Sequence, residues 1–129
     1  MIVVDTSVWI DFFRGRKTEQ VGRFVTFIDT DQLLLGDLIL CEILQGLGDE
    51  GEVVRVSEQL GTLPTAGMVG CEMALKAAKN HRDLRRRGIT IRRTIDLLIG
   101  TFCIENGHRL LHNDRDFLPM VEHLGLLEA

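Results

Sequence analysis

The pattern of apolar and polar positions is clearest at the start of the chain. Ile2–Val4 is an apolar run without polar alternation, which is typical of a strand covered on both faces of a parallel sheet. It ends directly in the polar residues Asp5–Ser7, and we expect Ser7 to cap the helix that follows. The next apolar positions recur at i, i+3 and i+4, which predicts that helix: Trp9, Phe12 and Phe13.

Strand and helix patterns then alternate along the chain. Short apolar runs predict strands at Leu33–Leu35 and Arg109–His112, with weaker candidates at Gly61–Pro64 and Leu126–Leu127. Apolar positions at helical spacing predict further helices near Val21–Ile28, Leu40–Leu47, Glu50–Leu60, Met68–Arg87 and from Thr94 onward, with a short last helix after Asn113–Phe117. In the helix over Met68–Arg87 we expect a buried face formed by Cys71, Ala74, Leu75 and Ala78.

This alternation predicts the fold class. Strands separated by helices over the whole length indicate an α/β protein, here a three-layer α/β/α sandwich with a short, mainly parallel sheet of about four to five strands. The chain has 129 residues, 45% of them hydrophobic, which is enough to bury a core. We therefore expect residues 1–129 to form a single domain.

Composition narrows the cellular setting. No apolar run approaches the length that crosses a bilayer, and the N-terminus lacks a signal-peptide pattern, so we expect a cytoplasmic protein without a membrane partner. The three cysteines are far apart and flanked by apolar neighbours, which predicts reduced thiols in the core: Cys41, Cys71 and Cys103. The histidines show no ligand spacing with them, so a zinc site is not expected.

Charge is distributed unevenly. The formal net charge is −4, yet one segment carries eight basic residues against the single acid Asp83: Lys76, Lys79, Arg82, Arg85, Arg86, Arg87, Arg92 and Arg93. A basic band on an acidic protein is an electrostatic footprint for a polyanion, although a solvated helix face gives the same pattern.

Several acids occupy positions that fit either a structural role or a role in a shared site. Asp5 follows the first strand, and Asp114 and Asp116 follow the strand near Leu111, at the edge of a parallel sheet where ligands bind. Glu42 and Asp96 lie in otherwise apolar helix segments, where an acid is costly to bury unless it is paired or bound to metal.

Each acid alone also fits a helix cap or an exposed position beside a buried face. Together, acids from separate segments that reach one sheet edge predict a shared cation site. Carboxylates beside the hydroxyl groups of Thr6 and Ser7 are ligands for a hard ion, so we expect Mg²⁺ or Mn²⁺.

Four segments carry a resemblance to a known family: Val4–Phe12, Cys41–Gly46, Thr94–Ile99 and Leu111–Phe117. In order and spacing they resemble the acidic motifs of PIN domains, and most closely those of VapC-type toxins from toxin–antitoxin pairs. His112 departs from the pattern, because a threonine often stands two residues before the last motif's aspartate.

The resemblance implies a metal-dependent endoribonuclease that cleaves phosphodiester bonds of structured or single-stranded RNA. Its catalytic acids would be Asp5, Glu42, Asp96 and Asp114, its metal ligands Asp5, Asp96, Asp114 and Asp116, and its supporting hydroxyls Ser7 and Thr6. It also implies Mg²⁺ or Mn²⁺ as the cofactor and a homodimer as the assembly. The partner would be a VapB-type antitoxin, and the toxin would contact operator DNA only through that antitoxin.

The predicted mechanism is in-line hydrolysis, with a water oriented by Asp96 or Asp114 attacking the phosphorus while Asp5 anchors the ion. We expect the RNA backbone to be bound by basic side chains of the band: Arg92, Arg93, Arg86, Arg82 and Lys79.

Two other functions remain compatible with the sequence. One is a non-catalytic PIN-like domain that binds nucleic acid or protein. The other is an aspartate-dependent phosphotransferase or phosphatase, which also places an acid after a strand, although no second aspartate follows Asp5 at the spacing such enzymes use.

Overall fold

A computed structural model describes residues 1–129 and contains one five-stranded parallel sheet. The strands are β1 (Ile2–Val4), β2 (Leu33–Gly36), β3 (Thr65–Ala66), β4 (Arg109–Leu111) and β5 (Leu127–Glu128). Their order is β3-β2-β1-β4-β5, and every neighbouring pair is parallel. The first strand is therefore central, with Ile2 opposite Leu33 on one side and Arg109 on the other.

Seven α-helices connect these strands. They are α1 (Thr6–Phe13), α2 (Glu19–Phe27), α3 (Asp37–Gln45), α4 (Glu50–Leu60), α5 (Cys71–Arg86), α6 (Thr94–Asn106) and α7 (Leu118–Leu124), with a 3₁₀ turn at Arg115–Phe117. Helix α1 contacts α2 and α3, whereas α5 contacts α6 and α7. With right-handed crossovers the two groups cover opposite faces of the sheet, which confirms the α/β/α sandwich.

The core lies on both sides of the central strand. Ile2, Val3 and Val4 are almost completely buried, as the absence of polar alternation predicts. Helix α6 is buried nearly all round because α5 covers the side that faces away from β4. This burial makes Asp96, in its first turn, an unusual position for a carboxylate.

The predicted buried face of α5 is wrong. Cys71, Ala74 and Ala78 are exposed and Leu75 is 73% exposed, whereas the residues that pack inward are Met73, Ala77 and Leu84. Alanines lie on both faces of this helix, so the hydrophobic pattern alone did not show which face contacts α6.

Three local expectations also need correction. The N-cap of α1 is Asp5 and not Ser7, which lies inside the helix. The edge strand predicted at Gly61–Pro64 forms at Thr65–Ala66 instead. Of the three cysteines only Cys103 is buried, since Cys41 and Cys71 lie on the outer faces of their helices.

None of the helices combines the length and the apolar character that a membrane span requires.

Candidate metal centre and active site

The carboxyl ends of β1 and β4 bring two acidic segments together. The Asp5 backbone N–H donates to the Leu111 carbonyl at 2.9 Å, so the chain leaves both strands at the same edge of the sheet. The Asp5 carboxylate caps α1, with Oδ2 accepting hydrogen bonds from the Ser7 N–H at 3.2 Å and the Ser7 hydroxyl at 2.6 Å. Burial raises the pKa of Asp5, and these hydrogen bonds from Ser7 oppose the rise.

Glu42 reaches the same edge from α3. Its Oε1 accepts a hydrogen bond from the Thr6 hydroxyl at 2.8 Å, and its Oε2 accepts one from Arg93 Nη2 at 2.5 Å. Both carboxylate oxygens of Glu42 are therefore already engaged. The supporting hydroxyls predicted from the sequence have separate partners, because Ser7 holds Asp5 and Thr6 holds Glu42.

Asp96 is the least satisfied acid of the group. It is 3% exposed, and its buried Oδ2 makes no hydrogen bond, although Arg93 Nε lies 3.7 Å away as an ion-pair partner. Burial raises the pKa of Asp96 to about 6, with Arg93 opposing the shift and the carboxylates of Asp5, Asp114 and Glu42 adding to it. A buried carboxylate with an unpaired oxygen is the kind of ligand that a cation would complete.

Asp114 and Asp116 come from the turn after β4. Asp114 caps the 3₁₀ turn by accepting the Asp116 N–H at 2.9 Å. Asp96, Asp114 and Asp116 can each offer one carboxylate oxygen such that all three atoms lie within 4.8 Å of one another. An all-oxygen ligand set with one unpaired buried oxygen fits a hard divalent cation.

Four of the five predicted acids converge on one cavity of about 240 Å³. Its lining comprises Asp5, Thr6, Ser7, Ile10, Glu42, Gln45, Arg93, Asp96 and Asp114. Asp116 is not part of this lining and instead pairs with Arg92 at 3.7 Å. The three mutually close ligands are therefore Asp96, Asp114 and Asp116, while Asp5 and Glu42 form the hydrogen-bonded wall beside them.

Sequence reasoning missed two residues of the lining, Ile10 and Gln45. A signal for Gln45 was available, since it lies three residues after Glu42 and so on the same face of α3. Ile10 lies in the same way three residues after Ser7 in α1.

The basic residues are divided between two places. Arg93 lines the acidic cavity and Arg92 lies beside it, 82% exposed. Lys79, Arg82 and Arg86 lie on exposed positions of α5 and do not line the cavity, and Lys79 and Arg86 both pair with Asp83.

The alignment of α5 against α6 shows which part of α5 lies near the site. Lys76 contacts Glu105 at 3.1 Å, and the Asn80 amide donates to the Thr101 hydroxyl at 3.1 Å, so the two helices are antiparallel. The C-terminal turn of α5, with Arg86, therefore lies nearest the level of Asp96. Lys79 lies about two helical turns further away.

His112 occupies the position where threonine was expected and contacts the acidic turn directly. Its Nδ1 accepts a hydrogen bond from the Asp114 N–H at 3.2 Å, which assigns the ring proton to Nε2. Nε2 lies 3.1 Å from Glu128 Oε2 of β5, and the ring packs on Phe117 with centroids 5.0 Å apart. The contact with Glu128 does not have hydrogen-bond geometry, so the one hydrogen bond of the His112 ring is with the backbone of Asp114.

Comparison with known proteins agrees with this geometry. The family model for the PIN domain matches residues 2–121. The chain is 30% identical over 120 residues to a protein named VapC ribonuclease Mb1587 of Mycobacterium bovis, covering 91% of this chain and 89% of that protein. The same values hold for ribonuclease VapC11 of Mycobacterium tuberculosis.

Solved structures share the fold over the whole chain. VapBC2 from Rickettsia felis, solved with a promoter DNA fragment, matches with a TM-score of 0.78 at 14% identity, covering 100% of this chain and 98% of that one. VapBC-1 from nontypeable Haemophilus influenzae matches with a TM-score of 0.74 at 20% identity, covering 100% and 97%. With four acidic segments at one sheet edge and a family match over nearly its whole length, the chain belongs to the PIN-domain family and is a homologue of the VapC ribonucleases.

Proposed function

We propose that this chain is a metal-dependent endoribonuclease, a hydrolase that cleaves phosphodiester bonds of structured or single-stranded RNA, and the toxin of a cytoplasmic toxin–antitoxin pair. The observation that carries the proposal is the convergence of Asp5, Glu42, Asp96 and Asp114 on one cavity, from segments up to 109 positions apart in the sequence. The homologous proteins named as ribonucleases support it.

The residues that would hold the cation are Asp96, Asp114 and Asp116, with Asp5 beside them as a further candidate ligand. Mg²⁺ fits this oxygen set, and Mn²⁺ is the alternative. When bound, such an ion supplies charge neutralisation at the scissile phosphate and a lowered pKa for water.

The chain's own residues arrange the reaction around that site. Ser7 fixes the Asp5 carboxylate, and Thr6 fixes Glu42, so these side chains are oriented before substrate arrives. Asp96 Oδ2, which is buried and lacks a hydrogen-bond donor, is the oxygen suited to hold the ion, so Asp96 would act as a ligand and not as the base.

Substrate binding would rest on phosphate contacts. Arg92 is 82% exposed and lies 3.7 Å from Asp116, and Arg86, Arg82 and Lys79 extend the positive surface along α5. Arg92→Ala should weaken RNA binding and reduce the slope of affinity against salt concentration. Unchanged RNA binding would show that Arg92 does not contact the substrate.

A cleavage assay tests the activity itself. We expect the purified chain to cut RNA with Mg²⁺ or Mn²⁺ and not with EDTA, and Asp114→Asn to slow cleavage by about a hundredfold or more. Glu58→Gln, an exposed acid of α4, is the matched control and should cleave normally. Metal-independent RNA binding without cleavage would favour the non-catalytic alternative, and an acid-labile phosphoryl group on Asp5 would favour the phosphotransferase.

We further propose a VapB-type antitoxin as partner, with DNA contacted only through it. An apolar groove of about 380 Å³ on the α1–α2 side offers it a docking site, lined chiefly by Trp9, Phe12, Phe13 and Phe24. Trp9 is largely buried, so Phe12→Glu is the more selective test. We expect it to weaken a co-expressed antitoxin complex while leaving RNA cleavage intact.

A further inference from the structure

A guanidinium group lies within the acidic cavity. Arg93 donates to Glu42 Oε2 at 2.5 Å, and its Nε lies 3.7 Å from Asp96 Oδ2. The two carboxylates are 9% and 4% exposed, whereas the Arg93 side chain is 54% exposed. The arginine therefore reaches from solvent into a group of buried acids.

The charges of the cavity explain why a cation beside the acids is stabilising. Asp5, Glu42, Asp96 and Asp114 would repel one another if all were ionised without a compensating charge. The carboxylates of Asp96 and Glu42 raise the pKa of Arg93, so the guanidinium is a permanent positive charge beside them. It contacts Asp96 at the same oxygen, Oδ2, that lacks a hydrogen bond and would be available to a metal ion.

The attachment of Arg93 allows this contact to be broken. The residue occupies the extended N-cap position before α6, so its backbone is fixed by the helix start while its side chain is held by the two carboxylates. A half-exposed arginine can turn into solvent without any change in the backbone. By contrast, Thr6 and Ser7 hold their acids from within α1.

We propose that Arg93 is an internal counter-cation that competes with the divalent ion. It neutralises Glu42 and Asp96 while the site lacks an ion, and its ion pair with Asp96 breaks when an ion binds. This inference rests on the proposed metal site and deepens it. It assigns Arg93 a role in metal occupancy that is distinct from the phosphate contact predicted from the sequence.

The test measures Mn²⁺ and Mg²⁺ affinity by calorimetry at pH 7.5, without RNA, for the wild type, Arg93→Ala and Arg93→Lys. We expect Arg93→Ala to bind the ion about tenfold more tightly, because a unit charge close to the ligands is removed. Arg93→Lys keeps that charge and should stay near the wild type. Arg55→Ala, an exposed arginine of α4, controls for net charge and should leave the affinity unchanged.

Melting temperatures provide a second readout and confirm that the variants fold. In EDTA, Arg93→Ala should melt below the wild type, because the acids lose their internal cation, and its gain on adding Mn²⁺ should exceed that of the wild type. A wild type that binds no divalent ion would overturn the proposed metal site. A wild type that binds the ion as well as or better than Arg93→Ala would overturn the role of Arg93 and leave the metal site standing.

Discussion

At the scale of single residues, Asp96 shows that the site places a carboxylate where its ionised form is destabilised. Its carboxylate is buried among Asp5, Glu42 and Asp114, and only Arg93 offsets their charge. The folded chain therefore keeps a proton on Asp96 up to about pH 6, whereas an unfolded aspartate releases it near 3.8. It follows that the free energy of unfolding falls as pH rises from about 4 to 6.

Asp96→Asn removes this pH dependence. We expect the variant, in EDTA at pH 7.5, to be more stable than the wild type by on the order of 1–2 kcal/mol, and to show no such advantage near pH 4. The added stability on binding Mn²⁺ should be lost at the same time. Urea unfolding at both pH values measures the effect, and a variant that is less stable at pH 7.5 would contradict the electrostatic account.

His112 gives a second prediction at this scale, because it holds the backbone of a proposed ligand. His112→Leu removes the acceptor for the Asp114 N–H while keeping an apolar side chain against Phe117. We expect it to lower Mn²⁺ affinity by about tenfold.

His112→Asn is the matched variant, since its Oδ1 can replace Nδ1 as acceptor and should restore most of the Mn²⁺ affinity. If both variants lose affinity equally, the histidine acts through packing and not through this hydrogen bond.

At the scale of secondary-structure elements, α5 is where the pattern and the structure differ most. Its inward face is made of Met73, Ala77 and Leu84, and the small residue at Ala77 allows close packing against α6. The outward face repeats Cys71, Ala74, Leu75 and Ala78 at the same helical spacing. Both faces therefore satisfy the amphipathic pattern, and only contact with α6 distinguishes them.

Adjacent alanines of α5 test this assignment. Ala77→Leu should destabilise the protein by about 1–3 kcal/mol, because extra methylene groups have no room against α6. Ala78→Leu makes the same chemical change on the exposed face and should alter the free energy of unfolding by less than about 0.5 kcal/mol. Equal effects of the two substitutions on the free energy of unfolding in urea would contradict the assignment of Ala77 to the buried face of α5.

At the scale of the whole molecule, the exposed face of α5 also offers a surface for the proposed homodimer. Leu75 is 73% exposed there, and Val69 just before the helix is 47% exposed. Leu75 has the highest exposed fraction among the large apolar side chains, which makes this face of α5 the first candidate for such a contact.

Leu75→Glu should therefore shift the chain from dimer to monomer, because a charge cannot be buried unpaired at an interface. Light scattering coupled to size exclusion, over a range of protein concentrations, measures the change. Val54→Glu, at an apolar position of α4 that is 57% exposed, is the control and should leave the mass unchanged. A Leu75→Glu dimer as stable as the wild type would exclude α5 from the interface.

Most of the strands and helices, and the acids proposed for the site, follow from the local sequence. Local patterns are sufficient for this, since the apolar run Ile2–Val4 can only be buried on both faces and Asp5 must leave it at the carboxyl edge. The convergence of Glu42 and Asp96 on Asp5 was predictable because an acid in an apolar helix segment needs a partner.

The pairing of those side chains with one another depends on the packing of the folded chain. Arg93 is bound to Glu42 and close to Asp96, Asp116 lies near Asp96 and Asp114 but outside the cavity lining, and Ser7 holds Asp5 without capping the helix. Such contacts join residues from separate elements, and their geometry depends on how α3, α6 and the turn after β4 pack together. Hydrophobic periodicity carries no information about that packing, so side-chain pairing became visible only in three dimensions.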